Sequence, residues 1–142
     1  MEYCFTIPGQ PSPWQVYTRR GKPSLGFEKM RAWQAQIQAH VRSQMDKEPL
    51  FRGPVLLTMD FYLVWPDTAP QRQPDAIARW RREHLAKKPD LTNLVKAAED
   101  AIAPLLFAVG DQQVVSITAA KHFANPETMP GPQTLIVVEV LE

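Results

Sequence analysis

The sequence of 142 residues holds one cysteine, three histidines and six glycines. The lone Cys4 cannot form a disulfide within the chain, and no cysteine and histidine spacing is that of a zinc site. No apolar run approaches the roughly 18 residues of a membrane span, and the N-terminus has neither the basic nor the apolar stretch of a signal peptide. No glycine-rich phosphate loop is present, so we expect no nucleotide cofactor. These absences predict a protein of the reducing cytoplasm that does not contact a membrane.

The composition is that of a folded chain. A hydrophobic content of 44% and four tryptophans argue against intrinsic disorder. The length suits one domain with a buried core. We therefore predict a single domain over residues 1–142.

Positive charge is concentrated in two segments, although the net charge of the chain is only +1. Residues 19–31 and residues 72–96 each carry a net charge of +4, whereas the rest of the chain carries −7. If both segments reach one face, that face could hold a phosphate backbone. Two solvated segments without a ligand explain the charge equally well.

Hydrophobic periodicity predicts seven elements in the order β-α-β-α-α-β-β. The first helix is expected from about Glu28 to Met45, and the third begins just after Asp90 and weakens at Pro104. The strands are expected within the stretches EYCFTIPG, GPVLLTMDFYLVWP, QVVSITAAKHF and QTLIVVEVL. This order predicts an α+β fold, in which helices pack on one face of a small mixed sheet.

Two aspartates flank the third helix, in the stretch KKPDLTNLVKAAEDAIAPLLFAVGDQQVV. Asp90 is at a position typical of an N-cap, which contributes ~1 kcal/mol, and Thr92 is an equally good cap. Asp111 could be a simple turn residue. However, Lys96 falls within the first two helical turns, and paired carboxylates beside a lysine are what metal-assisted phosphodiester hydrolysis needs.

The stretches KPDLTNLVKAAEDAI and GDQQVV resemble the core motif of the RusA family of Holliday-junction resolvases, common in bacteriophages and prophages, and FTIPGQPSPW resembles its opening strand and loop. The resemblance implies that Asp90 and Asp111 are catalytic aspartates that bind Mg²⁺ or Mn²⁺. It also implies that Lys96 is the essential lysine, and Asn93 matches the motif asparagine. The family acts as a homodimer that nicks two opposing strands of a four-way junction.

The sequence departs from that motif at two positions. Thr92 and Gly110 each stand where the family has an aspartate, and Thr92 could offer a hydroxyl to the metal without bringing charge. Asp60, Glu99 or Asp100 could supply the missing ligand, although a polar strand face explains Asp60 more simply and solvated helix charge explains the other two. An alternative reading of the whole chain is therefore a junction-binding protein with weakened or no cleavage. A third reading is an unrelated α+β domain whose basic segments bind protein.

Basic and aromatic side chains supply the expected DNA contacts, with affinity that falls as salt rises. The residues predicted to bind DNA are Arg19, Arg20, Arg79, Arg81, Arg82, Lys87, Lys88 and Asn93. Trp14 could either stack on a base or pack within the protein, whereas Trp80 is expected to pack. His84 could touch a phosphate, and His122 has no obvious partner.

Overall fold

A four-stranded mixed sheet forms the centre of the computed structural model, which describes residues 1–17, 21–45, 50–125, 129 and 131–141. The strands are β1 (Glu2–Pro8), β2 (Val55–Leu63), β3 (Val114–Phe123) and β4 (Gln133–Val140). Their order is β1-β4-β2-β3. Strand β4 pairs antiparallel with both β1 and β2. Strand β3 runs parallel to β2 at the edge of the sheet.

Three α-helices and one short 3₁₀ turn connect these strands. They are α1 (Leu25–Met45), α2 (Pro74–Leu85), α3 (Leu91–Leu106) and the 3₁₀ turn Asp111–Gln113. The predicted α+β class and the predicted order of elements are confirmed. No helix in the described part of the chain is long and apolar enough to cross a membrane.

The first helix begins three residues earlier than its hydrophobic periodicity predicts. The hydroxyl of Ser24 accepts a hydrogen bond from the backbone N–H of Phe27 at 3.0 Å, and the Ser24 carbonyl accepts from Glu28. A serine that satisfies an otherwise unpaired N–H starts a helix where apolar spacing alone gives no signal. The additional turn brings the N-terminus of α1 close to the loop that follows β1.

The core lies between the sheet and the two long helices. Alternate strand residues point into it, and α1 and α3 close it with one apolar stripe each. Two side-chain amides fix α1 against α3, since Gln34 Nε2 donates to the Ala97 carbonyl at 3.0 Å and Gln38 Nε2 to the Ala101 carbonyl at 3.2 Å. Small alanines at these positions allow the close approach. The orientation of α3 on the sheet is thereby fixed.

The other face of the sheet carries polar side chains. His122 Nε2 lies 2.8 Å from Asp60 Oδ1, and the His122 ring stacks on Tyr62 with centroids 4.7 Å apart. The expectation that His122 has no partner is therefore wrong, because its partner comes from a neighbouring strand that is distant in sequence. Asp60 lies between the core residues Met59 and Phe61, so it faces away from α3.

An aromatic cluster attaches α2 to the end of β3, since α2 has no buried residue of its own. The Trp80 ring lies 4.7 Å from Trp65, 4.9 Å from Phe123 and 3.9 Å from His84, between ring centroids. The prediction that Trp80 packs is confirmed. His84 also has its Nδ1 2.8 Å from the Trp80 carbonyl, so this nitrogen is occupied within the helix.

Candidate active site

Asp90 occupies the N-cap position of α3, but its side chain makes no capping hydrogen bond. Its backbone is extended, with φ −70° and ψ 134°, and its carboxylate is exposed. Thr92, also exposed, follows at the second helical position. The predicted N-cap position is confirmed, whereas the carboxylate is left facing solvent and is available to a ligand.

Lys121 holds the segment that carries Asp90. Its Nζ donates to the Lys87 carbonyl at 2.7 Å and to the Pro89 carbonyl at 2.9 Å. Lys121 pairs with the core residue Phe61, so it lies on the helix-facing side of β3. Sequence reasoning missed this residue, although a lysine at a core-facing strand position is a detectable signal.

The loop after β1 lies across the first turns of α3. The backbone N–H of Trp14 donates to the Asn93 carbonyl at 2.9 Å, and the Trp14 ring centroid lies 3.8 Å from Lys96 Nζ. An ammonium over an indole face is held by the ring quadrupole. Trp14, whose role the sequence left open, therefore positions the candidate catalytic lysine. Asp90 and Asn93 line a cleft of about 310 Å³ together with Pro13 and Gln15 of the same loop.

Asp111 opens a 3₁₀ turn that a single buried amide organises. Gln113 is 6% exposed, and its Oε1 accepts from the N–H groups of Val109 at 2.6 Å and Gly110 at 3.2 Å. Its Nε2 donates to the Phe51 carbonyl at 2.8 Å and to the Gly53 carbonyl at 3.1 Å. The glutamine of the GDQQVV motif thus connects the turn of Asp111 to the segment before β2.

Gly110, where the family resemblance leads one to expect aspartate, has a backbone conformation that favours glycine. Its φ is +130°, and an added Cβ would lie 2.6 Å from Gln112 Oε1. Residues with a Cβ rarely adopt positive φ. The departure from the motif therefore removes a carboxylate at a position whose backbone conformation favours glycine.

Two carboxylates in the second half of α3, those of Glu99 and Asp100, interact electrostatically with Asp111. The pKa of Glu99 is raised by burial and then by the charges of Asp111 and Asp100. The pKa of Asp100 is likewise raised by burial and by Asp111, while Lys96 lowers it. Glu99 and Asp100, which the sequence ranked only as alternatives, thus share an electrostatic environment with Asp111.

One protomer does not bring Asp90 and Asp111 together. Asp100, which interacts with Asp111, is ten residues from Asp90 along α3, or ~15 Å at the rise of an α-helix. Strand β3 leads to the same separation. Lys121, which contacts Pro89 next to Asp90, is ~23 Å along the strand from Val114, which directly follows the turn of Asp111. Among the described residues no group of three histidine, cysteine or acidic side chains is placed to hold a metal ion.

The predicted DNA-binding residues that the structure describes lie on and after α2. Arg79, Arg82, Lys87 and Lys88 are exposed, and the Arg81 guanidinium lies 5.5 Å from the Trp65 ring centroid. Arg19 and Arg20 lie outside the described residues. Within the described ranges only Asp60 and His122 come within salt-bridge distance of each other. The arginines of α2 are therefore not neutralised by carboxylates and can meet an anion.

Fold and site define a small α+β domain with a lysine and carboxylates along the solvent-facing side of α3 and basic residues on the neighbouring α2. A family model described as Endodeoxyribonuclease RusA matches residues 8–129, a range that contains every candidate site residue. The chain belongs to this family, and its membership implies endodeoxyribonuclease activity of the Holliday-junction-resolving kind. No curated protein matches the chain.

Proposed function

We propose that this protein is a metal-dependent endodeoxyribonuclease that resolves four-way DNA junctions by paired nicks, and that it works as a homodimer. The observation that carries the proposal is the exposed side of α3 in a chain of this family. Asp90 leaves its carboxylate free of capping, and Lys96 is held over Trp14. Asp90 also lines the cleft that opens at the N-terminus of the helix.

Each side chain has a role that follows from its chemistry. Lys96 stabilises the negative charge that grows on the scissile phosphate, since a cation held in a fixed position favours the charge that develops beside it. Asp90 supplies carboxylate oxygens and Thr92 a hydroxyl to a Mg²⁺ ion, for which Mn²⁺ is a plausible substitute. When bound, the ion would activate water and neutralise phosphate charge.

The residues fit such an ion by their donor chemistry. Asp111, Glu99 and Asp100 are oxygen donors whose mutual repulsion contributes to the raised pKa values of Glu99 and Asp100. A divalent cation relieves such repulsion. However, within one protomer Asp90 and Asp111 lie at opposite ends of α3. A site that contains both aspartates therefore needs a residue from a second copy of the chain.

A second copy of the chain provides that residue by pairing through β3. Within the described sheet β3 is an edge strand, and its segment 114–120 has no charged residue. Val115 is 59% exposed and Ile117 42% exposed. A long edge strand without charge is a template for pairing with another strand. We infer that the β3 strands of two copies pair antiparallel around a two-fold axis.

This pairing would complete two sites at once. In an antiparallel pair the Asp111 end of one β3 lies beside the Lys121 end of the other, and Lys121 contacts the segment that carries Asp90. Asp111 of one copy would therefore approach Asp90 of the second copy. Two equivalent sites related by a two-fold axis suit a four-way junction that needs two symmetric cuts.

A cleavage assay tests the proposed activity. Labelled four-way junction and linear duplex of the same sequence are incubated with Mg²⁺, Mn²⁺ or EDTA, beside the variants Asp90→Asn, Asp111→Asn and Lys96→Met. We expect paired nicks in the junction alone, lost in EDTA and in each variant. Cleavage that persists in EDTA, or in Asp90→Asn, would refute the proposed chemistry.

A junction-binding protein without cleavage is the second candidate. Thr92 and Gly110 each replace an aspartate that the family motif carries, and the positive φ of Gly110 disfavours any residue with a Cβ at that position. Fewer carboxylates weaken the binding of a divalent cation. Retention of the junction at low salt without any nick, in both Mg²⁺ and Mn²⁺, would favour this candidate.

A further inference from the structure

We propose that a cavity beside α2 binds one unpaired nucleotide of the branched DNA, an inference that rests on the proposed function. The cavity has a volume of about 270 Å³. It lies between α2, the loop that follows β2, and Asn125 just after β3. It is lined by Trp65, Gln71, Arg72, Pro74, Ile77, Ala78, Arg81 and Asn125.

The charge of the cavity selects an anionic ligand. Arg72 and Arg81 line it, and no lining residue is acidic. Neither guanidinium has a carboxylate partner among the described residues. Arginine presents several N–H donors in a planar fork that matches the oxygens of a phosphate. A phosphate entering this cavity would therefore find two cations that no internal ion pair neutralises.

One wall of the cavity offers a surface on which a flat ring can stack. Trp65 and Arg81 both line the cavity, and Arg81 Cζ lies 5.5 Å from the Trp65 ring centroid, so an aromatic ring and a guanidinium plane stand side by side in this wall. Unstacked bases are recognised by stacking on aromatic rings or on guanidinium planes. Pro74 and Ile77 add apolar surface beside it. The wall suits a nucleobase, whereas a bare phosphate would use only the charges.

The rim is fixed before any ligand binds. Trp65 Nε1 donates to the Pro70 carbonyl at 3.2 Å, and Gln71 Nε2 donates to the carbonyls of Ala69 at 2.9 Å and Pro66 at 3.2 Å. The cavity is also smaller than the roughly 300–1,000 Å³ of pockets for drug-sized ligands. Its size therefore suits one nucleotide of a longer chain.

The position of the cavity favours a DNA strand over other anionic partners. Arg79 and Arg82 project from the same helix, and Lys87 and Lys88 lead from it to Asp90. A strand that follows these charges toward the candidate active site passes α2. At the branch point of the DNA a nucleotide can leave the base stack. A cavity of this size can bind one such nucleotide.

The test compares two splayed duplexes that carry the same backbone charge. One has single-stranded arms of thymidine, and the other has arms of abasic deoxyribose phosphate. Binding is measured by fluorescence anisotropy in EDTA, which separates it from cleavage. We expect the wild-type protein to bind the thymidine-armed duplex at least about fivefold more tightly, the effect of stacking one base.

Three variants locate the base. Ala78→Leu narrows the cavity without changing charge, and Arg81→Gln removes the stacking guanidinium, so both should abolish the preference for thymidine arms. Arg79→Gln is the matched control, since it removes one positive charge from α2 outside the cavity. It should weaken both duplexes equally and keep the preference.

A wild-type protein that binds both duplexes equally would overturn the inference, as would a preference that persists in Ala78→Leu and Arg81→Gln. If junction cleavage is normal in either case, the proposed function stands and only the cavity assignment fails. A protein that retains no branched DNA at low salt would overturn both.

Discussion

Replacement of Gln113 by leucine tests how the turn of Asp111 is held. The side chain makes four hydrogen bonds, and each contributes about 1 kcal/mol net. Two of them, to Gly110 and to Gly53, are longer than 3.0 Å. The Phe51 carbonyl also accepts from the Ala108 N–H at 2.9 Å, so it keeps a partner in the variant. We therefore expect a loss of about 3 kcal/mol, below the full sum.

Urea unfolding measures this loss. With a slope of about 2 kcal/mol per molar, the midpoint should fall by about 1.5 M. Gln112→Leu is the matched control, because that side chain is exposed and its Nε2 makes one bond, to the Val109 carbonyl at 3.1 Å. It should change stability by no more than about 0.5 kcal/mol. Equal effects of the two substitutions would refute the role assigned to Gln113.

Three further outcomes are expected. Gly110→Asp, which restores the family residue, should destabilise the protein by about 1–3 kcal/mol in thermal unfolding, because its φ is +130°; an unchanged Tm would contradict the strain. The raised pKa of Glu99 means that the folded state binds protons more tightly, so this group's contribution to stability is present below its ordinary pKa of 4.5 and lost as pH rises through the raised value. Burial and then repulsion by Asp111 and Asp100 disfavour the charged form of Glu99, so Glu99→Gln should stabilise the protein at pH 7 by on the order of 0.5 kcal/mol. The gain should disappear near pH 4 in urea titrations, and a gain that is the same at both pH values would contradict the raised pKa. Trp14→Leu should slow junction cleavage about fivefold, the equivalent of about 1 kcal/mol, since Lys96 loses its aromatic support. Junction affinity measured in EDTA should change little, and an unchanged rate would remove Trp14 from the site.

Local patterns in the sequence predicted most of the fold. Strand alternation and helical periodicity depend on residues close in the chain, which is why the element order and the position of Asp90 before α3 are confirmed. The start of α1 was placed too late, because a capping serine carries a weaker signal than an apolar stripe.

The geometry of the site depends on contacts between residues distant in sequence, which periodicity does not encode. Lys121 reaches the carbonyls of Lys87 and Pro89, and Gln113 reaches those of Phe51 and Gly53. The partnership of His122 with Asp60 depends in the same way on the register of β2 and β3. The spacing of the motif residues in the sequence likewise did not show that Asp90 and Asp111 lie at opposite ends of α3.

The separation of Asp90 from Asp111 makes a sharp experiment possible. If each site combines Asp90 of one copy with Asp111 of the other, a heterodimer of Asp90→Asn and Asp111→Asn subunits keeps one intact site. A heterodimer of Asp90→Asn and Lys96→Met subunits keeps none, because both residues lie in the first turns of the same α3.

The first measurement is therefore junction nicking by mixed subunits, after co-refolding of variants that are inactive alone. We predict that the Asp90→Asn and Asp111→Asn mixture regains nicking of one strand per junction in Mg²⁺, while the Asp90→Asn and Lys96→Met mixture stays inactive. No recovery in the first mixture, with heterodimers demonstrated by differently tagged subunits, would contradict a site shared between two copies.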